Sequence, residues 1–102
     1  MILKGLRLKN GNVTYNDFDI DPDLPFEQQK WSFKQDLLQI VFNDRYLVDV
    51  GWYPDFNEQG HFRLVVIQGI DWDNPLMKET CRNYYELKNY LQKAIDFIAG
   101  LQ

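Results

Sequence analysis

Two runs of alternating apolar residues, LLQIVF (37–42) and RYLVDVGWY (45–53), stand on either side of Asn43-Asp44. Alternation at period two sends successive side chains of an extended strand to opposite faces. Asn and Asp tolerate the positive backbone dihedrals that a tight hairpin turn demands. The runs therefore pair as an antiparallel hairpin, with Leu38, Ile40 and Phe42 on one face and Tyr46, Val48, Val50 and Trp52 on another.

The rest of the chain extends this hairpin. PDFNEQG (54–60) is a loop by composition, and HFRLVVI (61–67) resumes the alternation with Phe62, Leu64 and Val66 toward the core. Ile2–Leu8, a turn at Asn10-Gly11 and Asn12–Tyr15 read as a further hairpin. Residues 25–36, PFEQQKWSFKQD, stay open: Pro25 suits the start of a helical turn, yet Trp31 and Phe33 alternate as a strand would. Asn74 before Pro75 predicts a short helix, and Asn83 with Glu86 caps a longer one. Along the latter, Tyr84, Leu87, Leu91, Ala94, Ile95 and Ile98 recur at spacings of three and four, with Gly100 placed to end it. The expected architecture is α+β: an antiparallel meander of four to six strands with a C-terminal helix packed on one face, in a single domain over residues 1–102.

Charge and cysteine content narrow the function classes. Fifteen Asp and Glu against eleven Lys and Arg give a net charge of -4, which disfavours direct nucleic-acid binding or a membrane surface and favours a basic partner. One cysteine, Cys81, and one histidine, His61, cannot supply an intrachain disulfide or a Cys/His zinc site, so no metal or cofactor is expected. The N-terminus lacks the pattern of a signal peptide and no apolar run is long enough to span a bilayer; the expected compartment is the cytoplasm.

DFDIDPDL (17–24) is the most unusual stretch. In an extended segment Asp17, Asp19, Asp21 and Asp23 point one way and Phe18, Ile20 and Leu24 the other. Pro22 belongs at a sheet edge, so the stretch reads as an outer strand or a strapped-down loop with its apolar side inward. Carboxylates about 7 Å apart repel by roughly 0.6 kcal/mol in water, less in salt, so the row is tolerable when exposed. A solvated edge that resists aggregation is one explanation; a surface that meets a basic partner is the other.

Other patterns are weaker. Asp17, Asp19 and Asp21 match the first ligand positions of an EF-hand, but Pro22 replaces the required glycine and Gln28 the bidentate glutamate. Asp71-Trp72-Asp73 has a D-x-D form, yet next to Asn74-Pro75 its carboxylates suit the positive end of the expected short helix, with Trp72 packed or exposed as a contact. Pro54-Asp55 with Glu86-Leu87-Lys88 superficially resembles a metal-dependent nuclease set, but residues 86–88 fall on a helix whose buried stripe includes Leu87. His61 has no nucleophile to serve. Cys81 reads as a packing thiol, although adjacent Arg82 would favour its thiolate.

The run 37–67, with its D-V-G-W-Y-P segment, then DWDNP (71–75) and a tyrosine-rich closing helix, resembles the small immunity proteins of bacterial polymorphic toxin systems, including contact-dependent growth inhibition. The resemblance implies a non-enzymatic inhibitor that binds the C-terminal domain of a cognate toxin, a basic DNase or RNase, and blocks it. Together with the charge pattern it nominates Asp17, Asp19, Asp21 and Asp23 as a partner surface, with Tyr53, Asp55, Asp71, Trp72 and Asp73 as a second set. Whether the two sets share a face is open, as is the oligomeric state. An adaptor domain of a larger assembly and a small metal-dependent nuclease are the alternatives.

Overall fold

A computed structural model describes residues 2–102. Five strands form one antiparallel sheet in sequence order: β1 (Asn12–Asn16), β2 (Leu38–Phe42), β3 (Tyr46–Tyr53), β4 (His61–Gln68) and β5 (Met77–Cys81). The α-helix α1 (Tyr84–Leu101) follows, so the chain is an α+β meander with a C-terminal helix. The turn at Asn43-Asp44 is as expected: both residues have positive φ, and the Arg45 N–H donates to the Phe42 carbonyl at 3.0 Å.

Register decides which side chains share a face. Leu38 pairs with Val50, Ile40 with Val48 and Phe42 with Tyr46, so the two apolar stripes of this hairpin lie on the same face of the sheet rather than on different ones. Val50 in turn pairs with Leu64, Val48 with Val66 and Trp52 with Phe62, extending that face into β4. Leu87, Leu91, Ala94, Ile95 and Ile98 of α1 are buried in the same cluster. Tyr84 is partly buried against it. Asn83 caps the helix as its sequence predicts, its Oδ1 accepting from the backbone N–H of Tyr85 at 2.7 Å and of Glu86 at 3.1 Å. Gly100 does not end α1, which runs one residue further.

Several expectations are corrected. Residues 2–8 form turns and irregular backbone instead of a strand, and β1 pairs with β2. The N-terminal segment is fastened beside α1: the Arg7 N–H donates to Gln92 Oε1 at 2.9 Å, and Lys9 pairs with Asp96 at 2.7 Å. Ile2 is fully buried there, so its apolar pattern serves the core without pairing. Residues 25–36 contain two single 3-10 turns, Phe26–Gln28 and Lys30–Ser32. Pro75 starts no helix; Met77–Cys81 forms the edge strand β5, because β4 offers it an unpaired row of backbone groups.

The other face of the sheet carries no helix. On it lie Tyr15, Gln39, Val41, Leu47, Asp49, Gly51, Tyr53, Arg63, Val65, Ile67 and Lys78, as the register requires. Gly51 is obligatory in size. A Cβ there would stand 1.9 Å from the carbonyl oxygen of Gln35, whose segment passes over β3 on its way into β2.

Candidate partner-binding surfaces

The acidic stretch is a strap. Residues 17–20 are extended but outside the sheet, anchored by the Asp17 N–H to the Leu37 carbonyl at 2.8 Å. Phe18 and Ile20 are buried, and Phe18 stacks on Phe62 at 6.0 Å and meets Tyr84 at 6.1 Å. Asp17, Asp19, Asp21 and Asp23 are all exposed, so the alternation holds through Ile20. It fails at Leu24, which is exposed because Asp21-Pro22-Asp23-Leu24 turns back on itself. Asp21 Oδ1 accepts from the Asp23 N–H at 2.9 Å, and the Leu24 N–H donates to the Asp21 carbonyl at 3.2 Å. Gln29 locks that turn, its amide donating to the carbonyls of Asp21 at 2.8 Å and Leu24 at 3.0 Å.

Gln29 also brings the 3-10 segment to the strap, and Phe33 carries it onto the β3–β4 loop: the Phe56 N–H donates to the Phe33 carbonyl at 2.6 Å. Trp31 meets Phe56 edge-on at 5.0 Å and is 70% exposed. Asp55, exposed beside Phe56, therefore belongs to the same end of the molecule as the strap. Tyr85, 58% exposed at the start of α1, lines a groove of about 490 Å³ with Asp19, Asp21, Asp23, Tyr84, Lys4 and Lys88.

Ion pairs use little of this charge. Among the described residues Lys34 holds Asp17, Lys9 holds Asp96 and Lys93 holds Glu79; Asp19, Asp21, Asp23 and Asp55 have no ionic partner within 4.0 Å. The Lys34 ammonium is held above its ordinary range by its hydrogen bond to Asp17, against the cost of burial, and the charges of Asp17 and Asp19 add to that. Exposed Trp31 and Tyr85 beside carboxylates that make no direct ion pair are the composition of a protein contact surface. Sequence inspection missed both aromatics: Trp31 sits in the segment whose conformation was ambiguous, and Tyr85 lies one residue off the helix stripe.

The second predicted set is divided. Asp71, Trp72 and Asp73 occupy the β4–β5 loop at the far end of the sheet, where the Gly69 N–H donates to the Arg45 carbonyl at 2.8 Å. Phe62, on which the strap packs, lies at the opposite end of β4 from this loop, and the six steps from it to Gln68 span about 20 Å at strand rise. Trp72 is 49% exposed beside Ile70 at 90%, and Asp71 Oδ1 accepts from Asn74 Nδ2 at 3.2 Å. Tyr53 lies on the uncovered face instead, its hydroxyl donating to the Gln35 carbonyl at 3.2 Å and its ring under the Arg63 guanidinium at 4.2 Å. The nine nominated residues thus fall on the strap end, the uncovered face and the far loop.

The uncovered face holds a further feature that sequence inspection did not single out. Asp49 is only 6% exposed, and its Oδ1 accepts from Gln39 Nε2 at 3.0 Å. Burial pushes its carboxyl above the ordinary range; the Gln39 bond and Arg63 pull it back, while Asp36 pushes it further up. Arg63 Nε is buried with no hydrogen-bond acceptor. The alternation of YLVDVGWY places Asp49 on this face, but a lone Asp in a strand ordinarily reads as solvated.

Asp55 and the Glu86–Lys88 segment lie in a loop and on α1, not on neighbouring strands, and no group of three or more His, Cys, Asp or Glu gathers to hold a metal among the described residues. Burial pushes the Cys81 thiol up to about 11, with Glu86 adding to this, the backbone at Asn83 opposing it and Glu79 adding less, so Arg82 does not activate it. Arg82 is turned instead to the β3–β4 loop, donating to the carbonyls of Gly60 at 3.0 Å and Glu58 at 2.5 Å. No described helix is long and apolar enough to cross a membrane. Compared with family models, curated proteins and solved structures, the chain finds no match.

Proposed function

We propose that this chain is an immunity protein that binds the nuclease domain of a cognate bacterial toxin in the cytoplasm and covers its basic active-site surface. The observation that carries the reading is the strap end: Asp19, Asp23 and Asp55 make no ion pair within 4.0 Å and stand beside exposed Trp31 and Tyr85. A nuclease holds phosphates with Lys and Arg, so a carboxylate row on a rigid backing competes for that surface while aromatic anchors slow departure. Phe18 and Ile20 supply the backing at no cost in exposed apolar area.

The direct test is co-expression with the C-terminal domain of the toxin encoded upstream. Survival restored by this chain alone supports the reading, and killing that continues in its presence sinks it. Asp21 closes the turn, so charge is best reversed at Asp19 and Asp23. The D19K/D23K variant is expected to slow association about tenfold and flatten its salt dependence, whereas Trp31→Ala mainly accelerates dissociation. Stopped-flow and surface-binding kinetics read both.

An adaptor role in a larger assembly has one observation of its own: the far loop, with Asp71, Trp72, Asp73 and Ile70 exposed, is one contact surface more than a one-to-one inhibitor needs. Recovery of two different partners, one lost with Trp72→Ala and the other with Trp31→Ala, would favour it.

A further inference from the structure

We infer that Phe56 is a positioning residue: on the reading of the strap end as a partner surface, it holds Trp31 ready as the anchor of that surface. Among the described residues Phe56 is the one aromatic with positive φ, at 59°. Asn10, Asn43 and Asp44 share that region, but they are of the types that tolerate it. A bulky side chain there strains the backbone, and such strain persists only where the surroundings fix it.

Here the surroundings are rigid. The Phe56 N–H donates to the Phe33 carbonyl at 2.6 Å, and the Phe33 ring is buried against Trp52. The Trp52 indole N–H donates to the Asn57 carbonyl at 2.9 Å, and Arg82 holds the carbonyls of Glu58 and Gly60. Gly60 is packed so closely that a Cβ would stand 2.6 Å from Trp52 Nε1 and 2.7 Å from the Tyr53 carbonyl oxygen. What the strained pose delivers is a ring set edge-on to Trp31, with centroids 5.0 Å apart, while Lys30 Nζ lies 5.4 Å over the indole. Trp31 belongs to a single 3-10 turn with no buried residue, so these neighbours fix an indole that the turn itself leaves in solvent. An indole ordered before binding gives up little freedom on docking, which slows the partner's departure.

The free chain and the complex test this separately. In the free chain, NMR relaxation of the Trp31 indole N–H is expected to show lost order in Phe56→Ala and none lost in Phe56→Tyr. Phe56→Gly, which relieves the strain, is expected to melt about 5 °C above Phe56→Ala. In the complex with the toxin domain, Phe56→Ala should dissociate about tenfold faster, as Trp31→Ala does, and Phe56→Tyr within about twofold of the wild type. The W31A/F56A double variant should leave no faster than Trp31→Ala alone, because Phe56 acts through Trp31. An indole that stays ordered in Phe56→Ala, a Phe56→Gly variant no more stable than Phe56→Ala, unchanged dissociation of Phe56→Ala, or additive effects in the double variant would each overturn the role of Phe56. Killing unrelieved by this chain would instead overturn the toxin reading, and the order of the Trp31 indole would still decide whether Phe56 positions it.

Discussion

Strands β2, β3 and β4 turn one face to α1 and the other to no helix, and the same backbone carries very different material on its two sides. The helix side is apolar, with Leu38, Ile40, Val48, Val50, Leu64 and Val66 buried in one cluster with Leu91 and Ile95. The uncovered side mixes Val41, Leu47, Val65 and Ile67 with Gln39, Asp49, Tyr53 and Arg63. One face holds the domain together; the other retains polar groups whose burial costs stability.

Substitutions sharpen the contrast, the largest effect first. Leu91→Ala on the covered side empties a fully buried site and is expected to cost about 3 kcal/mol, a fall in Tm of roughly 10–20 °C in thermal melts. Gly51→Ala tests whether the uncovered side has a rigid point of its own. Its Cβ would meet backbone at Gln35, not a movable side chain, and a loss of about 2–3 kcal/mol in chemical denaturation is expected; a loss below about 0.5 kcal/mol would mean that residues 34–37 shift freely. Leu47→Ala, at a half-buried site on the same side, should cost only about 1 kcal/mol in chemical denaturation.

Asp49→Asn goes the other way. The folded carboxyl binds its proton more tightly than the unfolded one, so the stability linked to this group is fully present in acid, below the unfolded value, and is lost as pH rises through the folded value. At pH 7 the wild type buries a charge that the amide does not. The variant should melt a few degrees higher at neutral pH, with the gain vanishing as pH falls through the carboxylate range. An equal or lower Tm at pH 7 would show that Arg63 offsets the buried charge in full.

The strap was readable because its signal is local: aspartate at every second position, with Phe18 and Ile20 between, needs only an apolar surface to lie on. Trp31 was not, because PFEQQKWSFKQD satisfies two periodicities poorly and its path depends on Gln29 reaching the strap and Phe33 reaching Trp52, at 4.7 Å between rings. Nor does anything local place Asp71–Asp73 far from the strap; β4 does that by its length.

By itself, the sequence determined the β2–β3 hairpin, the apolar stripe of α1 and its Asn83 cap, since each rests on residues within a few positions of one another. Tertiary structure decided the rest. Ile2–Leu8 has strand-like residues but lies as irregular backbone beside α1, and MKETC, without alternation, becomes β5 because β4 has an edge to fill. On the face that α1 leaves uncovered, neighbouring side chains and strands bury Asp49 and leave Arg63 Nε without an acceptor, since burial and pairing belong to the assembled sheet and to no segment of the chain.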